Sequence, residues 1–416
     1  MCRGENSKST KKNNGAFKHS WIIEDPTINN GKGVLTIDGV ENIAQHKYKP
    51  GHYTYLDNIL DPFWMYVTNL LPMSMAPNLV TAMGGLHCAL SYVVLWYHSP
   101  NLDKPIPVWT IRFAGLCTLL YYTFDCMDGK QARRTGNSTP LGQLFDHGFD
   151  CLCLLAHVSC TAGYLMIGGS HWYLAFQTSL QLIFFMAQWE EYYTDILPHA
   201  MGNWFGVTEI NYGTGLFAIF NSFIDRERFW LSTVQDVLLP GCKIRRHTIA
   251  SAIANVQMRH FGLSLWFLAL LVTFVGFIIR VLTHENVVKN RMQLSAVSKL
   301  FTPFLISIGP FVLPTHVLCN ETRYVSIATG LLFSLLTKKM IVFSMAKMTY
   351  ATFQMEILPL AFIFMWIRYD DNITDRGATV LLCGLSAWYS YRMLKWVSKA
   401  IDQICKRLDI LCFRIK

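Results

Sequence analysis

From about residue 79 onward the sequence keeps returning to apolar runs of roughly 20 residues, the length a helix needs to cross the ~30 Å hydrocarbon core of a bilayer. These runs fall at 79–97, 106–124, 142–168 and 172–189. They continue at 209–223, 261–282, 296–315, 323–345, 353–367 and 377–397. Only 15% of the 416 residues are charged, whereas 52% are hydrophobic. Soluble domains carry roughly 25% charged residues, so this chain has too few to cover a water-facing surface. The expected fold class is all-α: a polytopic integral membrane protein with about ten transmembrane helices, flanked by N-terminal and C-terminal amphipathic segments. A disordered chain, a collagen-like fibre, a small disulfide scaffold and an ordinary soluble enzyme are excluded.

Residues 1–45 are expected to be a polar, disordered cytosolic tail. They carry Lys8, Lys11, Lys12 and Lys18 and lack the apolar core of a signal peptide. Residues 46–76 read as an interfacial amphipathic segment, with Leu56, Ile59, Leu60, Phe63, Trp64, Val67 and Leu70 near helical spacing and Asp57, Asn58 and Asp61 among them. The unit 77–224 holds the acidic motif described below, 225–400 adds further spans, and 401–416 is a basic cytosolic tail. An even number of spans puts both tails on one side, and their Lys and Arg residues point to the cytosol. The sequons at Asn320 and Asn372 then fall in lumenal connections, while Asn137-Ser138-Thr139 falls on the cytosolic side. The same count places 224–260 in the lumen despite Arg226, Arg228, Lys243, Arg245, Arg246 and Arg259. Either a span near 209–223 is miscounted or that segment is re-entrant.

The net charge of +9 belongs to connections and tails that face anionic headgroups. No basic run interleaved with aromatics points to nucleic acid. The 12 Cys are scattered, without a CxxC pair or a zinc spacing, and Cys126, Cys151 and Cys153 read as packing residues.

One stretch carries chemistry. Between Asp125 and Asp150 the chain reads DCMDGKQARRTGNSTPLGQLFDHGFD. On a helix Asp125, Asp128, Gly129 and Ala132 share one face, and Gly142, Asp146 and Asp150 share a face of the next. Pro140 and the Gly-Asn-Ser-Thr run supply the turn between them. Four convergent carboxylates at a membrane boundary repel one another and are costly to desolvate. A pair of divalent ions removes that conflict, and oxygen ligands favour Mg²⁺ or Mn²⁺. Two metals at about 3.5–4 Å form the clamp used for in-line phosphoryl transfer. Gly129 and Gly142 leave room for a phosphate or nucleotide. Arg133 offers a fork to phosphate, and Lys130 and Arg134 add positive field.

At these residues the chain resembles the CDP-alcohol phosphotransferase family, whose signature is D-x-x-D-G-x-x-A-R, eight residues, then G-x-x-x-D-x-x-x-D. Asp125, Asp128, Gly129, Ala132, Arg133, Gly142, Asp146 and Asp150 match it without a gap. The run DGKQARRT…PLGxLFDHGxD is similar to the choline/ethanolamine phosphotransferase branch. Ala76-Pro77-Asn78-Leu79-Val80-Thr81, Gln188-Trp189-Glu190, Val207-Thr208-Glu209 and Cys412-Phe413-Arg414-Ile415 add to the likeness. The branch usually has Asn where Gly136 stands and Glu where Gln143 stands.

The resemblance implies transfer of phosphocholine or phosphoethanolamine from CDP-choline or CDP-ethanolamine to diacylglycerol, with release of CMP. It implies that Asp125, Asp128 and Asp146 hold two divalent ions, with Asp150 a further ligand or the general base. Gly129, Arg133 and Gly142 contact the CMP part. His147, three residues before Asp150, is a second candidate base because an imidazole titrates near neutral pH. Asn78 either reaches the cytidine or caps the helix ahead of the first span. Glu190 and Glu209 either face a cationic headgroup or are interfacial residues. The resemblance further implies a homodimer in an endoplasmic reticulum or Golgi membrane, with the site facing the cytosol. Two rivals stand beside this reading. A CDP-diacylglycerol-dependent phospholipid synthase is usually shorter, with about six spans. A transporter with a carboxylate ion site scatters its acids over several spans near mid-membrane.

Overall fold

The computed structural model describes residues 33–241, 248–370 and 372–415. Thr36 caps α1 (Ile37–Gln45) and Thr54 caps α2 (Tyr55–Asn69). At the second cap Thr54 N donates to Asp57 at 2.7 Å and Asp57 N donates to Thr54 Oγ1 at 3.1 Å, a reciprocal box that fixes the start of α2. Four long helices follow: α3 (Pro77–His98), α4 (Val108–Arg134), α5 (Pro140–Leu165) and α6 (His171–Thr194). Pro77 and Pro140 open α3 and α5 at the one position where the missing N–H costs nothing. A short hairpin pairs β1 (Ala200–Met201) with β2 (Phe205–Gly206), Ala200 opposite Gly206, and leads into α7 (Val207–Asn221). The short α8 (Arg226–Leu231), α9 (Val234–Leu238) and α10 (Ile249–Ala254) precede α11 (Met258–Thr283). Then come α12 (Glu285–Lys289), α13 (Gln293–Ser298), α14 (Phe301–Ile308), α15 (Thr315–Asn320), α16 (Thr322–Ala346), α17 (Ile357–Tyr369) and α18 (Asp375–Leu408).

Five segments among the described residues are long and apolar enough to cross a membrane: Pro77–His98, Pro140–Leu165, Met258–Thr283, Gln293–Val312 and Thr322–Ala346. The remaining apolar runs also lie on helices. Of these, α4, α6 and α18 have 27, 24 and 34 residues but are interrupted by polar groups, while α7 and α17 have only 15 and 13. The core is built around α16, whose residues are buried on nearly every side, and α5 packs between α3, α6 and α16. By contrast α11 turns Leu265, Leu268, Leu271 and Val275 outward, each about half exposed, as a lipid-facing helix does. α4 and α7 approach so closely that a Cβ on Gly115 would sit 2.8 Å from the Gly215 carbonyl, which only glycine permits.

The contacts define two poles. At one lie the turn between α4 and α5, the hairpin, the segment after α16 and both described ends of the chain. At the other lie 99–107, 166–170 and the stretch after α7: Arg226 donates to the Ile106 carbonyl at 2.6 Å and Arg259 to the Met166 carbonyl at 2.5 Å. The basic segment 224–260 is tied to this second pole by those two arginines. Over its described residues it forms three short helices joined by turns, and Lys243, Arg245 and Arg246 lie outside the described residues. Asn320 and Asn372 are exposed on elements at this second pole, and Asn320 donates to Asp375 at 3.0 Å.

Two boundaries drawn from the sequence need correction. The expected disordered tail to residue 45 overlaps α1, whose Ile43 is buried with Leu35 in a cluster with Ile341, Met345 and Ile404; residues 1–32 lie outside the described residues. At the other end, α18 runs past 401 to Leu408. Arg407 there donates to both oxygens of Glu41 at 2.6 Å, and Gln403 accepts from Val34 N at 2.7 Å. The two chain ends are thus strapped to each other, because each presents an apolar stripe too narrow to be covered alone.

Candidate functional site

The acidic motif lies where α4 ends and α5 begins. Thr139 Oγ1 accepts from Gly142 N at 3.3 Å and starts α5, and Gly136 turns the chain with φ +69°. That left-handed backbone explains the departure at 136, since glycine and asparagine are the two residues that adopt it readily. The reversal sets the Asp face of α4 against that of α5. One carboxylate oxygen each from Asp125, Asp146 and Asp150 lie within 4.8 Å of one another. Asp125 Oδ1 and Asp146 Oδ1 are buried and take no hydrogen bond among the described residues. Three crowded carboxylates, two of them with an orphaned oxygen, are compatible with a bound cation, and an all-oxygen donor set suits a hard divalent ion. The residues therefore fit the metal that the sequence implied.

Asp128 does not join that trio. It is buried, 5% exposed, and accepts the Thr81 hydroxyl of α3. Asp150 accepts the Tyr121 hydroxyl at 2.5 Å. Neither Thr81 nor Tyr121 was singled out from the sequence as a site residue. Tyr121 lies four residues before Asp125, so helical spacing alone puts it on the same face. Thr81 comes from another helix, and only packing brings it in.

His147 is buried. Its Nε2 is 3.6 Å from Asp146 Oδ2, too long for a hydrogen bond, and its Nδ1 has no partner among the described residues. Beside it stands the Tyr48 ring, with centroids 6.0 Å apart, and the Tyr48 hydroxyl meets His199 Nε2 at 2.5 Å. Burial holds the His199 imidazole below its usual range and pushes the Tyr48 phenol far up, so both are neutral near pH 7.

The two glycines of the motif stand beside open space. A Cβ on Gly129 would meet only the Arg133 guanidinium at 3.6 Å, and one on Gly142 only Asn78 Oδ1 and Thr139 Oγ1 at 3.9 Å. Arg133 is exposed and unpartnered among the described residues, free to meet an anion above Gly129. The other two cations of the motif are engaged elsewhere, Lys130 by a carboxylate and Arg134, its charge uncancelled, by backbone carbonyls. Lys130 pairs with Asp61, while Arg134 donates to the Thr68 and Leu71 carbonyls at 3.1 and 2.8 Å. Both dock α2, with Arg134 satisfying carbonyls at its C-terminal end.

Asn78 is not a helix cap. The cap residue of α3 is Ala76, and Asn78 Nδ2 donates instead to the Cys412 carbonyl at 2.8 Å. Glu190 is bound by Arg280 through two bonds of 2.8 Å and offers no free carboxylate to a headgroup. Glu209 accepts from Gly206 N at 2.8 Å as a cap of α7, and it also lines a cavity. The buried Gln143 donates to Glu191 at 2.8 Å. A Glu at 143 would set two carboxylates against each other there, which accounts for the second departure.

The cavity, about 600 Å³, lies between α5, α6, α7 and α11. Its walls include Leu154, Phe176, Leu180, Trp266 and Phe277, and His157 connects it with the acidic trio. The His157 ring is 4.9 Å from that of Tyr121, which bonds Asp150. An apolar chamber separated from a metal-competent trio by two aromatic side chains suits an amphiphile whose reacting group meets an ionic partner.

Comparison with known proteins agrees with this geometry. Residues 74–237 match the family model for CDP-alcohol phosphatidyltransferase. The chain is 30% identical over 406 residues to the CDP-alcohol phosphatidyltransferase class-I family protein 3 of Dictyostelium discoideum, covering 92% of this chain and 98% of the relative. It is 28% identical over 400 residues to choline/ethanolaminephosphotransferase 1 of Arabidopsis thaliana, with the same coverage. It is 26% identical over 392 residues to ethanolaminephosphotransferase 1 of Mus musculus, covering 89% of this chain and 92% of the relative. With the signature face assembled around three converging carboxylates and a relative at 30% identity along nearly the whole chain, the protein belongs to the CDP-alcohol phosphatidyltransferase family, polytopic enzymes of phospholipid synthesis.

Proposed function

We propose that the protein transfers phosphocholine or phosphoethanolamine from the CDP-alcohol to the free hydroxyl of diacylglycerol, releasing CMP. The observation that carries this reading is the converging trio Asp125, Asp146 and Asp150, with an apolar cavity reached from it through Tyr121 and His157. The trio, with Asp128 beside it, is where divalent ions would bind; when bound, they neutralise the pyrophosphate and the charge that develops on leaving CMP. Arg133 binds a phosphate above Gly129, and Asn78 and Gly142 border the nucleotide. Diacylglycerol lies in the cavity with its hydroxyl directed past His157 and Tyr121. The hydroxyl oxygen forms a bond to the β-phosphorus, the bond from that phosphorus to the bridging oxygen breaks, and the electron pair leaves with CMP. His147 takes the hydroxyl proton. Asp150 is the less suitable base, because Tyr121 and the trio already occupy its oxygens.

Ten crossings, counted as α3, α4, α5, α6, α7, α11, the α13–α14 segment, α16, α17 and α18, belong to the same proposal. Their successive connections alternate between the two poles, and both described ends lie at the motif pole, which faces the cytosol of an endoplasmic reticulum or Golgi membrane. The test is a transfer assay in micelles with diacylglycerol and Mg²⁺, supplying CDP-choline and CDP-ethanolamine separately. Phospholipid product from either donor, lost on chelation, is the expected result. Turnover only of CDP-diacylglycerol with a free alcohol would move the chain to the other branch of the family.

A further inference from the structure

The last residues of the chain have no part in the chemistry described so far. α18 stops at Leu408, Asp409 reverses the chain with φ 53°, and Leu411 pairs antiparallel with Arg414. This small hairpin lands on the motif pole at the heads of α3 and α5. The Cys412 carbonyl accepts from Asn78 Nδ2 at 2.8 Å across a separation of 334 residues. The Phe413 ring packs edge-on against Phe145, the neighbour of Asp146, at 5.3 Å.

A backbone carbonyl only accepts hydrogen bonds, so its contact dictates which end of the Asn78 amide turns toward it. Nδ2 faces the hairpin, and Oδ1 is left on the side of Gly142, 3.9 Å from where a Cβ would stand. Asn78 is 8% exposed, and its Oδ1 takes no hydrogen bond among the described residues. An acceptor without a partner, on an otherwise buried side chain beside an open glycine, is a place for a donor from a ligand. Asn78 also borders a small recess with Asn137, Thr139 and Arg414.

We infer that the C-terminal hairpin is part of the nucleotide site: it holds Asn78 with its acceptor toward the space over Gly142, where that oxygen takes a hydrogen bond from the nucleoside of the CDP-alcohol. Asn78 is then a binding residue, and the hairpin is the positioning element that makes it one. The inference rests on the proposed function, because it takes the nucleotide to be cytidine-linked.

The experiment measures CMP binding to the purified full-length chain in detergent with Mg²⁺, by titration calorimetry, alongside steady-state kinetics. The variants are a stop after Leu408, Phe413→Ala, Asn78→Ala, and Asn78→Ala combined with the stop. The expected result is that the stop and Asn78→Ala each weaken CMP binding about tenfold, the worth of one neutral hydrogen bond. The combination is no weaker than either, because both remove the same contact. Phe413→Ala keeps the chain length and weakens binding in the same direction, so it decides the matter if the shortened chain fails to fold. The KM for the CDP-alcohol rises while that for diacylglycerol stays unchanged. Unchanged CMP binding in Phe413→Ala and the shortened chain, or losses that multiply to about a hundredfold in the combination, overturns the inference. An intact chain that binds no CMP overturns the proposed function instead.

Discussion

Asp125, Asp146 and Asp150 are separated by 21 and 4 residues in the sequence and by less than 4.8 Å between ligand oxygens in the fold. Asp146→Ala and Asp125→Ala are expected to lower transfer by about a thousandfold or more, with the protein still inserted. The Mg²⁺-dependent rise in unfolding temperature should vanish in both, and wild-type turnover in either would refute the metal assignment. Asp128 differs, since its position depends on Thr81. Thr81→Val removes one hydrogen bond and keeps the volume, so kcat/KM should fall by about tenfold rather than collapse. His147→Ala should lower kcat by about 10²–10⁴ and leave the KM for the CDP-alcohol unchanged; a pure KM effect would show that the imidazole only packs. The shared faces of the Asp residues were legible from spacing, because a helix of fixed pitch converts intervals of three and four into one face. Thr81 and His157 were not, because their contacts cross between helices.

Among the elements, the hairpin of β1 and β2 and the segment before α2 clasp each other through Tyr48 and His199, while His46 meets Gln143 at 2.9 Å. Burial lowers the pKa of both histidines from the ordinary value of about 6.5. Their neutral forms therefore stabilise the fold fully above pH 6.5, and stability declines as the pH drops below it, because the unfolded chain takes up the protons first. Thermal unfolding from pH 7.5 to 5.5 should show this decline, and His199→Phe should flatten it. On neighbouring α6 and α11, Glu190→Ala leaves Arg280 at the edge of the cavity without its partner. Because Arg280 is partly exposed, the expected cost is about 1–3 kcal/mol rather than that of a fully buried pair. Its readout is the unfolding temperature, with the choline-to-ethanolamine preference unchanged; a changed preference would return Glu190 to the headgroup site.

At the scale of the whole molecule, the cavity between α5, α6, α7 and α11 decides which acceptor can react. Ala187→Trp places a large ring in its wall, so the KM for long-chain diacylglycerol should rise several-fold while a short-chain diacylglycerol is spared. Equal effects on both would place the acceptor elsewhere. The sequence by itself determined the helical class, the apolar runs and the acidic signature, since these are local properties: one helix turn, one hydrocarbon thickness, one motif of 26 residues. Only the tertiary structure decided that Asp128 belongs to Thr81, that Lys130 and Arg134 serve α2, that Glu190 is bound by Arg280, and that the two described ends fold onto the motif pole. Each of those is a choice among several charged or polar partners that spacing leaves equally available. It is settled by which helices lie side by side when α16 is buried at the centre, because a buried polar group can pair only with what that packing brings within reach.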